Sequence, residues 1–146
     1  MSQPNMDSER TVENGTLPNG KTGLRVLVVE DNPDSAESLA LLLRRYGHKV
    51  SIALDGPRAI ELARASPPDV VLLDLGLPGM DGCQVAKRLN EQATPKPSFL
   101  IAVTGYGWDS DRQRTHEAGF NLHLLKPVDP EQLKSLLMKL QPILMN

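Results

Sequence analysis

Five positions in this chain of 146 residues carry groups suited to handling a phosphoryl group or a hard metal ion: the acid pair Glu30-Asp31, a lone Asp74, Thr104 and Lys126. Each follows directly on a short apolar run, at 26–29, 70–73, 99–103 and 122–125. Carboxylates brought together repel, by about 4 kcal/mol per pair at 4 Å and an effective dielectric near 20. An oxygen-only donor set of that kind suits Mg²⁺, a hard ion that keeps several waters and accepts a phosphate oxygen. Lys126 supplies a point positive charge that can pair with Asp74 at rest and then bind a phosphoryl oxygen, and Thr104 can donate a hydrogen bond to another. Phosphoryl transfer asks mainly for positioning and charge neutralisation, and an aspartate can serve as its nucleophile. Taken alone, Asp74 has a plainer reading as the cap of the turn that follows it.

The elements needed to bring these groups together can be read from the apolar pattern. Runs 26–29 and 70–73 are short, rich in valine and leucine and closed by turn or acid residues, the pattern of strands buried on both faces. At 50–54, Val50, Ile52 and Leu54 alternate with Ser51 and Ala53, which predicts a half-exposed edge strand. Strands are also expected at 99–103 and 122–125. Between them lie helical patterns: one opened by Asn32-Pro33-Asp34, with Leu39, Leu42, Leu43 and Tyr46 as its inner stripe; one opened by Asp55 and Pro57 with Ile60, Leu62 and Ala63; and one at 83–90. A polar helix is expected at 109–118, stopped by Gly119, and a last helix opened by Asp129-Pro130 with Leu133, Leu136, Leu137 and Leu140 at helical spacing. Five strands alternating with five helices argue a doubly wound parallel α/β sheet with helices on both faces. Right-handed crossovers then put every strand's C-terminal end on one rim. In such sheets that rim is where ligands collect.

Sixteen Lys and Arg against eighteen Asp and Glu leave a formal charge of −2, so no basic field is offered to nucleic acid or to an anionic membrane. No apolar run approaches the roughly 20 residues of a membrane span. A single cysteine, Cys83, and an N-terminus without an apolar h-region point to a cytoplasmic protein. Residues 1–23 are rich in Ser, Asn, Gly and Pro and are expected to be a disordered tail, leaving one domain over 24–142 and a C-terminal end at 143–146. Two matches in that tail are set aside. Residues 15–22 satisfy the phosphate-loop pattern G-x-x-x-x-G-K-[ST], but no strand precedes them and no helix follows. The glycosylation sequon at Asn14 has no meaning without export. His48, His116 and Cys83 lack metal-ligand spacing and are assigned structural or solvent roles, the two histidines on different helical segments. Trp108 either covers the core or contributes to a binding face.

The order Glu30-Asp31, Asp74, Thr104, Lys126-Pro127 resembles the receiver domain of two-component response regulators, over about residues 24–140. The resemblance implies a flavodoxin-like sheet of order 2-1-3-4-5, the order that also describes a chemotaxis relative of this kind. It implies that Asp74 accepts phosphate from a sensor histidine kinase or a histidine phosphotransfer protein. Asp31, Asp74 and the backbone carbonyl of Gly76 would hold Mg²⁺, with Glu30 acting largely through water. Thr104 and Lys126 would hold the phosphoryl oxygens, and the Lys126-Pro127 bond would be cis. Output would pass to an unknown downstream protein through the face of the fourth helix, fifth strand and fifth helix, with the chain a monomer or a weak phosphorylation-dependent dimer. The stretches 104–107, 118–120 and 126–129 look especially like receivers of hybrid sensor histidine kinases. The start at Met1 favours a stand-alone regulator, and an excised receiver is the alternative. No helix-turn-helix pattern follows the fifth helix, so direct transcriptional output is not expected.

The sequence departs from the family pattern three residues before Lys126, where His123 replaces the usual Tyr or Phe. Either the imidazole follows the threonine as that aromatic does, or it is a strand histidine exposed near the output face. Gly76 and Tyr106 occupy places that tune phosphate hydrolysis in this family. Two other function classes compete with the switch. A non-phosphorylated pseudo-receiver would be a binding module of the same fold, without Mg²⁺ affinity. A haloacid-dehalogenase-like phosphatase would want a second Asp two residues after the nucleophile, where Gly76 stands.

Overall fold

The structure is a computed structural model that describes residues 23–92, 97–105 and 112–145. The expected tail up to Thr22, with its phosphate-loop match and sequon, therefore lies outside the described residues, as do Tyr106, Trp108, positions 109–111 of the expected fourth helix, and Asn146. The elements alternate throughout: β1 Arg25–Val29, α1 Pro33–Arg45, β2 Lys49–Ala53, α2 Gly56–Ala65, β3 Val70–Asp74, α3 Gly82–Glu91, β4 Phe99–Thr104, α4 Arg112–Ala118, β5 Leu122–Leu125 and α5 Pro130–Leu144. All four strand pairings are parallel, in the order β2-β1-β3-β4-β5. This is the expected flavodoxin-like arrangement.

Successive strand residues point to opposite faces, so a sheet covered on both sides needs apolar residues at every position. Leu27, Val29, Val71 and Leu73 pack under α2, α3 and α4 with Ala59, Val85, Ala86 and Ala118. Val26, Val28, Val70 and Leu72 pack on the other face under α1 and α5 with Ala40, Leu43, Leu133 and Leu137. The central β3 is buried along its whole length, including its terminal Asp74, whereas the edge strand β2 alternates between exposed and buried positions.

The helix starts follow from local chemistry. Asn32, Asp55, Asp81 and Asp129 each accept a backbone N–H from the first turn of the next helix, satisfying donors that the helix cannot. Asp81 also forms a capping box with Gln84, so α3 begins at Gly82 and runs to Glu91, one residue longer at each end than the sequence pattern gives. On α1 the expected inner stripe is only partly right. Leu43 is buried, but it shares the sheet-facing side with Ala36 and Ala40, while Leu39, Leu42 and Tyr46 are half-buried at the margin. Alanines let the helix lie close to the strands, and the larger side chains are displaced to the flanks. His48 is not on a helix: it sits in the connection between α1 and β2, fully buried, with Nδ1 accepting the backbone N–H of Leu24 at 3.1 Å.

Candidate functional site

Parallel pairing carries the ends of β1, β3, β4 and β5 to one rim, where Glu30, Asp31, Asp74, Leu75, Gly76, Thr104, Gly105 and Lys126 line an open depression of about 490 Å³. All six positions expected to handle metal and phosphate are among them.

Asp74 extends the β3 ladder opposite Val103 and is only 7% exposed. A carboxylate that far out of water needs partners. Its Oδ1 accepts the N–H of Gly76 at 2.9 Å, and its Oδ2 accepts from Lys126 Nζ at 3.0 Å. Lys126 also reaches Glu30 Oε1 at 3.5 Å, so one ammonium bridges two carboxylates from different strands. Glu30 Oε2 accepts the backbone N–H of Asn32, whose own side chain caps α1. Partial burial works to lower the pKa of the Lys126 ammonium, but the hydrogen bond and charge of Asp74 and the charge of Glu30 outweigh it, and the net direction is upward. The lysine is thus held in its charged form.

Glu30, Asp31 and Asp74 each place a carboxylate oxygen within 4.8 Å of the others. Three hard oxygen donors converging on one point, with Lys126 the one cation bonded to them among the described residues, fit a small divalent ion. Thr104 stands at the end of β4, half-buried on the same depression, and its carbonyl accepts the N–H of Lys126 at 2.7 Å. The Lys126-Pro127 bond is cis, as the resemblance implies. At Gly76 an added Cβ would meet Asp74 Oδ1 at 3.5 Å and nothing else within 4 Å, so the space above the carboxylate is open.

The other chemically able residues fall elsewhere. His123 is half-buried rather than exposed: its Nε2 lies 2.5 Å from Thr115 Oγ1 on α4, and its ring meets Phe120 at a tilt with centroids 6.4 Å apart. It faces α4 because β5 alternates and its neighbours Leu122 and Leu124 take the opposite core. Cys83 is buried and His116 is exposed. Two positions that sequence reasoning missed are Asp81 and Arg114, which pair across the start of α3 and the first turn of α4. Nothing in the local pattern signals that contact, since it depends on how two helices pack.

Compared with known proteins, residues 26–138 match the family model described as the response regulator receiver domain. Protein PilH of Pseudomonas aeruginosa is 36% identical over 109 residues, covering 75% of this chain and 90% of PilH. Among solved structures, a response regulator receiver domain (CheY-like) from Methylobacillus flagellatus is similar with a TM-score of 0.76 at 28% identity, covering 82% of this chain and 100% of that one. The receiver domain of the sensor histidine kinase PA1611 from Pseudomonas aeruginosa, solved with a magnesium ion coordinated in its active-site cleft, is similar with a TM-score of 0.72 at 30% identity, over 81% of this chain and 97% of that one.

Proposed function

The chain belongs to the response regulator receiver domains of two-component systems, and on that premise we propose that Asp74 is its phosphoacceptor, taking a phosphoryl group from a phosphohistidine donor. The reading is carried by one observation: Lys126 Nζ, 3.0 Å from Asp74 Oδ2 and 3.5 Å from Glu30 Oε1, ties together two of three carboxylates that converge within 4.8 Å. This is a site where negative charge is gathered and neutralised at the foot of an open depression.

In the transfer, a carboxylate oxygen of Asp74 attacks phosphorus. The new O–P bond forms as the P–N bond of the donor breaks, and the electron pair of that bond leaves with the imidazole. Lys126 neutralises Asp74 before the reaction and lies within reach of a phosphoryl oxygen afterwards. Thr104, which lines the same depression, offers a hydroxyl to another. Glu30, Asp31 and Asp74, with the Gly76 carbonyl, would hold Mg²⁺, which when bound would offset the charge gathering on the phosphoryl oxygens. The product carries close to two negative charges where the carboxylate carried one. Its output is protein contact through α4, β5 and α5, which makes the domain a signalling switch rather than a turnover enzyme. Among the described residues no helix is long and apolar enough to cross a membrane. A cytoplasmic kinase or phosphotransfer protein is the donor that fits.

The test is to incubate the protein with acetyl phosphate and Mg²⁺ and weigh it intact. A single phosphoryl adduct that base removes is expected, and Asp74→Asn abolishes it. An adduct that persists in Asp74→Asn, or none in the wild type, overturns the assignment and leaves the pseudo-receiver.

A further inference from the structure

We propose that a small cavity at the rim opposite Asp74 binds a short-chain aliphatic carboxylate, held by Arg25 and Lys49 over an apolar floor. The inference rests on the fold alone and is independent of the reading of Asp74 as phosphoacceptor.

Arg25 and Lys49 open β1 and β2 whereas Asp74 closes β3, so in this parallel sheet the length of the strands separates them. The two cations are direct partners in the β1–β2 register. Side chains alternate between the faces of a sheet, and those of partnered residues share a face. Leu27 and Ala53, farther along the same two rows, are buried in the core under α2 and α3, so Arg25 and Lys49 emerge on the α2 side. There they line a cavity of about 100 Å³ with Ser51 of β2 and with Leu62, Ala65 and Ser66 at the end of α2. Its polar groups are exposed to solvent, while Leu27 behind them is buried and Leu62 half-buried.

Like charges directly opposite each other destabilise a strand pair. Among the described residues, neither Arg25 nor Lys49 has a carboxylate ion partner that would offset this. The guanidinium of Arg25 donates through Nη1 to the neutral Ser66 Oγ at 2.8 Å, which leaves other N–H groups of its fork for a ligand. Asp69, close by, accepts the backbone N–H of Arg25 through Oδ2 at 2.9 Å and does not line the cavity. A carboxylate set between Arg25 and Lys49 answers both charges, and its two oxygens match the planar guanidinium. Ser51 adds a hydroxyl on the same row as Lys49. A short hydrocarbon chain then covers Leu27 and Leu62, which a bare inorganic anion leaves wet. Lysine on an edge strand also discourages pairing with another chain, but that role asks for neither a cavity nor a second cation.

The test is an NMR titration of the backbone amides with sodium butyrate, with sodium chloride at matched ionic strength as the blank. Saturable shifts are expected at Val26, Ser51, Ala65 and Ser66 around the cavity, while the amides of Gly76 and Lys126 at the other rim stay still. Sodium acetate should bind about tenfold more weakly, because butyrate takes two more CH₂ groups out of water. Lys49→Gln, at an exposed position, should weaken butyrate about fivefold. Ala65→Leu keeps both charges and fills the cavity from an exposed position on α2, so it should abolish saturation. A urea midpoint near that of the wild type verifies that each variant folds. No saturable shift beyond the chloride blank, or undiminished butyrate binding in Lys49→Gln or in Ala65→Leu, overturns the site. Acetate binding as tightly as butyrate overturns the ligand class, since the apolar floor then takes no part.

Discussion

With 1% of its surface exposed and its Nδ1 accepting the Leu24 N–H, His48 has no room for a second proton. Protonation would set an N–H against an N–H. Burial accordingly lowers its pKa from 6.5 to about 4. Between those values the unfolded chain binds more protons than the folded one, so stability is full above about pH 6.5 and drains away as the pH falls toward 4. The total is about 3 kcal/mol, because each pH step between the unfolded and folded values is worth roughly 1.4 kcal/mol. His48→Asn keeps an acceptor near the place of Nδ1 and removes the titration. Urea unfolding of both proteins from pH 7 to 4 should show a wild-type advantage that shrinks with acid, and a constant difference would sink the idea. Single residues differ in how openly the sequence declares them. Lys126 is legible because it follows an apolar run and precedes a proline, whereas the partner of His48 is a backbone group on another segment that only the fold brings near.

The connection from α4 to β5 turns at Gly119, whose φ of +102° lies in the left-handed region. An added Cβ would run into Asn90 Nδ2, the donor that caps the Ala118 carbonyl. Gly119→Ala should therefore cost about 2 kcal/mol, from the left-handed conformation and the displaced hydrogen bond together. Asn90→Ala alone should cost less, because it removes only the bond. Urea midpoints at unchanged slope measure both, and a Gly119→Ala value within about 0.5 kcal/mol of wild type contradicts the account. Elements were readable where local pattern decides them. The strands announce themselves as apolar runs ended by turn residues, and the helix starts as Asn or Asp before proline or glycine. On α1 the pattern misled, because it weighs leucines above the alanines that close approach to the sheet selects. The placement of α4 was not readable at all, since Arg114, Thr115 and Ala118 are held by Asp81, His123 and Asn90 on other elements.

The whole molecule carries a formal charge of only −2, yet it concentrates Glu30, Asp31 and Asp74 at one rim against Lys126. That gathering was legible in advance because parallel topology fixes which strand ends meet. The face of α4, β5 and α5, which the family resemblance names for output, was not legible from the local pattern, because packing assembles it. Concentrated like charge burdens the folded state alone, so anything that neutralises it raises stability. A Mg²⁺ ion held by the folded rim and not by the unfolded chain adds about 2.7 kcal/mol at a hundred times its dissociation constant. Melting curves in MgCl₂ should therefore rise above those in NaCl at matched ionic strength, where screening is equal. Asp31→Asn separates the two effects by sign. Asp31 is exposed and its replacement relieves repulsion, so without the divalent ion the variant should be as stable as the wild type or slightly more so. With the ion it should lose most of the gain. A variant that is weaker without Mg²⁺ but keeps the full Mg²⁺ increment would place the ion elsewhere and take Asp31 out of the site.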